Sequence, residues 1–160
     1  MGPESFILAA NGWIPNNPRL PVLLYRQVGA SNAAGLEVLF KANGWPPQWR
    51  NGIFTYHHYH STAHELLGIG GGSARVMLGG PGAREIALQA GDAVLLPAGT
   101  GHCLISSSDH FLVVGAYPPG QRFDICRGAP TDAMRRTIAE VKIPPKDPTS
   151  SEKFSAWGRN

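Results

Sequence analysis

Four of the six histidines in this chain fall within eight positions, in the run Gly52-Ile53-Phe54-Thr55-Tyr56-His57-His58-Tyr59-His60-Ser61-Thr62-Ala63-His64-Glu65. If residues 53–60 form a strand, alternate side chains share a face, so His58 and His60 project together with Phe54 and Tyr56. Two neutral imidazoles side by side are a natural partner for a divalent cation. A turn over 61–64 lets Glu65 open the next strand and bring its carboxylate to the pair. A second glycine-bounded segment, Gly91-Asp92-Ala93-Val94-Leu95-Leu96-Pro97-Ala98-Gly99-Thr100-Gly101-His102, delivers a further histidine. His57 faces the opposite way, as a structural or surface residue, and His110, beside Asp109 in a serine-rich turn, reads as exposed. His64 lies in the turn before Glu65. It is a candidate proton carrier, a partner supporting a ligand or an alternative ligand, although a solvated turn histidine is the simpler reading. Tyr56, on the inward face, is a second candidate catalytic group, weighed against an aromatic core role. Trp45 and Trp49 either wall a pocket mouth or pack on the barrel. Arg75 either clamps a substrate carboxylate or is an exposed strand charge.

The elements that must position these groups are short. Residues 1–21, rich in Pro and Asn, suit an extended arm with turns. Val22-Leu23-Leu24-Tyr25 reads as a buried strand, and residues 33–42 as a helix capped by Ser31 or Asn32 and stopped by Gly44. Trp45-Pro46-Pro47-Gln48-Trp49 reads as a stiff loop. Beyond Gly52, strands are expected at 53–60, 65–69, 74–78, 84–88, 93–96, 102–106 and 111–117, with Gly70-Gly71-Gly72 as a hairpin turn. Closely spaced short strands with turn signals between them indicate a sandwich or barrel. Both strand faces are apolar, which calls for a sister sheet inside and the N-terminal arm, the C-terminal helix or another subunit outside. Residues 131–141 place Met134, Ile138 and Val141 on one stripe behind a possible Thr131 cap, a covering helix. The last dozen residues, within the tail 144–160, are polar and proline-broken and are expected to be loosely held.

These motifs resemble those of the cupins. Gly52, His58, His60, Glu65 and Gly72 match every position of the first cupin motif, and Gly91, Pro97, Gly99 and His102 match the second, with Ser106 in place of its terminal Asn. Wider similarity over residues 43–49, 59–65 and 115–121 is to the YjlB-like group of bacterial cupins. The resemblance implies an all-β fold, a jelly-roll (double-stranded β-helix) barrel in one domain over 1–160, with the motif region at 52–106. It implies one metal held by His58, His60, Glu65 and His102. That nitrogen and oxygen set suits Mn, Fe, Co, Ni, Cu or Zn, and the absence of thiolates argues against a soft metal. Six-coordination would leave two open positions, whereas a tetrahedral zinc would be closed and structural. The Ser106 departure bears on turn geometry more than on metal binding.

Composition narrows the function classes. Glycine and proline make up 34 of 160 residues and charged residues only 16%, which excludes coiled coils and long surface helices. No apolar run approaches the ~20 residues of a membrane span, and the N-terminus lacks a secretory pattern, so a cytoplasmic protein without membrane partners is expected. The net charge of +3 belongs to residues 121–160, with eight basic and five acidic residues, and no nucleic-acid module accompanies it. Cys103 and Cys126 form no C-x-x-C pair and read as ordinary buried thiols. The leading function is a mononuclear metalloenzyme acting on a small organic molecule, of oxygenase, isomerase or decarboxylase type. The alternative is a non-enzymatic metabolite- or metal-binding or sensing cupin. A third reading makes the metal a structural staple. A homodimer is expected from the resemblance and from apolar outer residues.

Overall fold

The computed structural model describes residues 2–158, so the extreme ends of the expected 1–160 span lie outside the described residues. In chain order the elements are β1 (Glu4–Phe6), β2 (Val22–Tyr25), α1 (Ala33–Ala42), β3 (Pro47–Asn51), β4 (Glu65–Gly71), β5 (Ser73–Leu78), β6 (Arg84–Gln89), β7 (Ala93–Leu96), β8 (His102–Ser107), β9 (Leu112–Ala116) and α2 (Asp132–Glu140). They form a β-sandwich. One sheet runs β1-β2-β7-β4-β9-β3 and the other β6-β5-β8, with antiparallel neighbours throughout.

Alternation along the strands separates two cores. Val22, Leu24, Leu67, Ile69, Val94, Leu96 and Val113 point inward and meet Val76, Leu78, Ile86 and Leu88 of the smaller sheet. Leu23, Tyr25, Leu66, Leu95, Val114 and Ala116 point outward and are covered as well. Their cover is α1, through Leu36 and Phe40, together with Trp45 and the C-terminal Phe154 and Trp157. These residues of the chain itself, and not α2, thus cover the larger sheet's outer face. The helix α2 covers a smaller patch, where Ile138 meets Tyr59 and Ala98. Asn32, not Ser31, caps α1 by accepting a hydrogen bond from Gly35 N at 2.8 Å, and Thr131 caps α2 in the same way from Met134 N.

Three expectations are corrected. The strand at 53–60 is absent as a continuous element; only His58 and Tyr59 make bridges, to His102 and Cys126. The chain crosses there from β3 in the larger sheet to a place beside β8 in the smaller one, and a single strand cannot pair with both. Second, the stiff loop at 45–49 gives way at Pro47 to β3. Proline is tolerated because it is the first residue of an edge strand paired only with β9. Third, the tail is held down. Trp157 Nε1 donates to Pro21 O at 2.9 Å, Trp45 Nε1 to Lys146 O at 3.0 Å, and Phe154 and Trp157 are buried. No helix among the described residues is long and apolar enough to cross a membrane.

Candidate metal centre

Both sheets contribute to the site. Glu65 opens β4, opposite Leu96, on the same inward face as Leu67. His102 opens β8, and His58 pairs with it through two backbone hydrogen bonds, 3.2 and 2.9 Å. The approach to His102 is a tight loop in which Gly99 N donates to His60 O at 2.7 Å. Gly99 sits at φ +92°, and a Cβ there would lie 2.7 Å from Asn16 O, so no other residue fits. Asn16 and Asn17 of the N-terminal arm pin this loop: Asn16 Oδ1 accepts from Gly101 N, and Asn17 Nδ2 donates to Ala98 O.

His58, His60 and His102 are buried and offer one ring nitrogen each, all within 4.8 Å of one another. Each Nδ1 faces a backbone carbonyl: Tyr56 O for His58 and Thr100 O for His102, both at 3.0 Å, and Asp124 O for His60. A carbonyl only accepts, so Nδ1 carries the hydrogen and each neutral ring turns a bare Nε2 lone pair to the centre. Glu65 stands against two of these rings. Its Oε2 is 3.1 Å from His60 Nε2 and its Oε1 3.1 Å from His102 Nε2. Oε1 is buried with no hydrogen-bond partner. Lone pairs facing a carboxylate at that separation require a positive charge, either a proton on a ring or a cation among the donors. Nitrogen and carboxylate donors of this kind fit a borderline divalent transition metal.

The protonation pattern expresses the same demand. Burial, with help from neighbouring His102, pushes His58 down to about 3. Burial also disfavours charge on His60, but the adjacent Glu65 carboxylate outweighs it and raises the group. Glu65 is fully buried, which by itself would favour its neutral form; His60 and His102 overcome this and hold it well below the usual carboxylate range. Without metal, the proton belongs between His60 and Glu65.

A cavity of about 370 Å³ opens onto these groups, lined by Trp49, Phe54, Leu67, Phe123 and Ile125 among others. Trp49 Nε1 donates to Tyr117 Oη at 2.8 Å, and Tyr117 donates to Glu65 Oε2 at 2.6 Å. Gly115 makes room for this wall, since a Cβ there would stand 2.1 Å from the Trp49 ring.

No family model matches the chain. Protein YjlB of Bacillus subtilis (strain 168), itself uncharacterised, is 35% identical over 153 residues, covering 94% of this chain and 92% of YjlB. The chain belongs to the YjlB family. Among solved structures, Streptomyces albus HEPD with its substrate 2-hydroxyethylphosphonate and Fe(II) bound overlaps 79% of this chain and 22% of its own at 13% identity and a TM-score of 0.32. That overlap is too slight to bear on the chemistry of the site.

In this YjlB-family chain the four expected ligand residues come together, and the two expected proton carriers do not join them. His64 is fully buried rather than solvated: Nδ1 accepts from Ala98 N at 2.9 Å, Nε2 faces Val141 O, and the ring packs edge-on against Trp157. Burial pushes its pKa down to about 4. Tyr56 is off the cavity wall, stacked on Phe54 beneath the Arg127 guanidinium. Arg75 pairs with Glu85 on the exposed face of the small sheet. Trp49 walls the cavity, whereas Trp45 is core. His110 is exposed and Ser106 lies exposed on β8 opposite Arg75. Cys103 is buried as expected, but Cys126 is only partly so, with its thiol on Asp124. Sequence reasoning missed Tyr117, Phe123, Asp124 and Ile125. Residues 121–128 carry no periodicity, so no local signal announced the last three.

Proposed function

We propose that the protein is a mononuclear metalloenzyme acting on a small organic molecule, with His58, His60, His102 and Glu65 as ligands. The observation that carries this reading is the bare inward face of the centre, with three imidazoles whose Nδ1 hydrogens are already committed and a buried Glu65 Oε1 with no partner. A divalent ion held there would supply Lewis-acid polarisation or, if redox-active, electron transfer. The chain's own groups do the rest. Burial and the adjacent Glu65 keep Tyr117 protonated, so its hydroxyl holds Oε2 and leaves Oε1 for the ion. Apolar walls surround the reacting end. The cupin resemblance also supports a cytoplasmic homodimer in which each chain is one cupin domain.

A binding or sensing role is the second reading. It is favoured by the lack, among the described residues lining the cavity, of any proton-transfer side chain besides the proposed ligands.

Elemental analysis of purified, metal-loaded protein tests the site. One equivalent per chain is expected, with large loss in His58→Ala, His60→Ala and His102→Ala and retention in His57→Ala and His110→Ala. Metal retained by His58→Ala and lost by His57→Ala would refute the ligand set. Conversion of a bound metabolite during long incubation would eliminate the binding-only reading.

A further inference from the structure

The walls of the cavity carry information about its ligand that the metal donors do not. Phe54, Phe123 and Ile125 line it and are 44%, 40% and 46% exposed, an apolar rim left open around a polar floor. The two rings are braced: Phe54 stacks on Tyr56 at 4.8 Å and meets His58 edge-on, while Phe123 stacks on Tyr117 at 5.1 Å and meets His60 edge-on. Ile53, Leu67 and Trp49 continue the apolar surface. Among the described residues no lysine or arginine lines the cavity, and Asn51 is the one polar side chain besides the proposed ligands. Asn51 Oδ1 already accepts from Gly52 N.

Charge then limits the guest. A divalent ion with the Glu65 carboxylate and three neutral imidazoles leaves one net positive charge at the floor. A single anionic head is neutralised there. A second anionic group would sit in an apolar enclosure without a counter-charge, which is strongly unfavourable. A cavity of about 370 Å³ lies at the small end of ordinary ligand pockets, ~300–1,000 Å³, so the guest is small.

We propose that this cavity takes a compact, predominantly apolar and preferably aromatic molecule bearing at most one negative charge, with its oxygen donors at the histidine and Glu65 end and its ring between Phe54 and Phe123. The assignment rests on the metal reading above for its charge limit, and on the walls alone for its apolar preference. It excludes dicarboxylates and other small dianions.

Nickel-loaded protein, whose ion accepts six ligands and whose metal content is read separately, is titrated calorimetrically at about pH 8 with benzoate, acetate and phthalate, all fully ionised there. Benzoate is expected to bind about tenfold more tightly than either of the others, the usual return on burying a ring. Phe54→Ala and Phe123→Ala should each lower benzoate affinity severalfold without altering acetate. Val38→Ala, on the exposed face of α1, should change neither. Metal-free protein should still prefer benzamide to acetamide. Acetate or phthalate matching benzoate on protein shown to hold nickel would overturn the ligand class while leaving the metal site standing. If no nickel is retained, the metal reading fails and the charge limit with it. Equal binding of the two amides would overturn the apolar preference whatever the metal result.

Discussion

Glu65 has two carboxylate oxygens, and Tyr117 occupies one of them at 2.6 Å while itself accepting a hydrogen bond from Trp49. Tyr117→Phe removes that donor and keeps the ring stack on Phe123, so the carboxylate should lose its fixed orientation. Supporting contacts of this kind are worth about 10- to 100-fold in metal affinity. We expect a loss of about tenfold in a chelator competition; an unchanged affinity would mean that the two imidazoles alone orient Glu65. His64 supplies a separate test. Its folded pKa is pushed down to about 4, against about 6.5 in an unfolded chain. Between these values the unfolded state holds a proton that the folded state does not, so stability present at neutral pH is lost as pH falls from about 6.5 to about 4. The size is about 3 kcal/mol. Urea denaturation of metal-free protein across this window should show a shallower acid loss in His64→Gln than in wild type. Parallel profiles would place the acid sensitivity elsewhere.

The C-terminal segment after α2 behaves as part of the core. Trp157 is buried against the outer face of the six-stranded sheet, donates to Pro21 O and packs on His64 with ring centroids 4.7 Å apart. Trp157→Ala should therefore cost about 3 kcal/mol in denaturant unfolding, at the low end for a buried aromatic. Metal content at neutral pH should be retained. A loss below about 0.5 kcal/mol, the level of an ordinary surface change, would show that the segment contributes little. Elements with strong local signals were legible in advance: α1 spans 33–42 as its pattern requires, and β7 spans 93–96. The tail was misread because sparse apolar residues among prolines give no periodicity. Phe154 packs edge-on against Trp45 and Trp157 donates to Pro21 O, partners more than 100 positions away in the sequence.

For the whole molecule, a ligand that binds only the folded state stabilises it by mass action, about 2.7 kcal/mol at a hundredfold excess over Kd. Chelation should thus lower the melting temperature by several degrees, on a scale of about 2–4 °C per kcal/mol for a chain near this length. His58→Ala should melt at a temperature insensitive to chelator. A chelator shift of equal size in that variant would mean that the stabilising ion sits elsewhere. The centre joins both sheets, with Glu65 on the larger and His102 on the smaller, so an ion held there would couple directly to closure of the sandwich.

Sequence by itself determined which residues meet at the centre, because motif spacing places His58 and His60 next to one another and opens β4 and β8 with Glu65 and His102. It also determined the class of fold, since strand periodicity and glycine turns act over a few residues. Only the tertiary structure decided how the donors are aimed and what the cavity admits. Tyr117 reaches Glu65 across 52 positions and Asp124 reaches His60 across 64. Contacts at such separations leave no trace in local spacing, and they exist only once the two sheets and the loop after β9 have closed on each other.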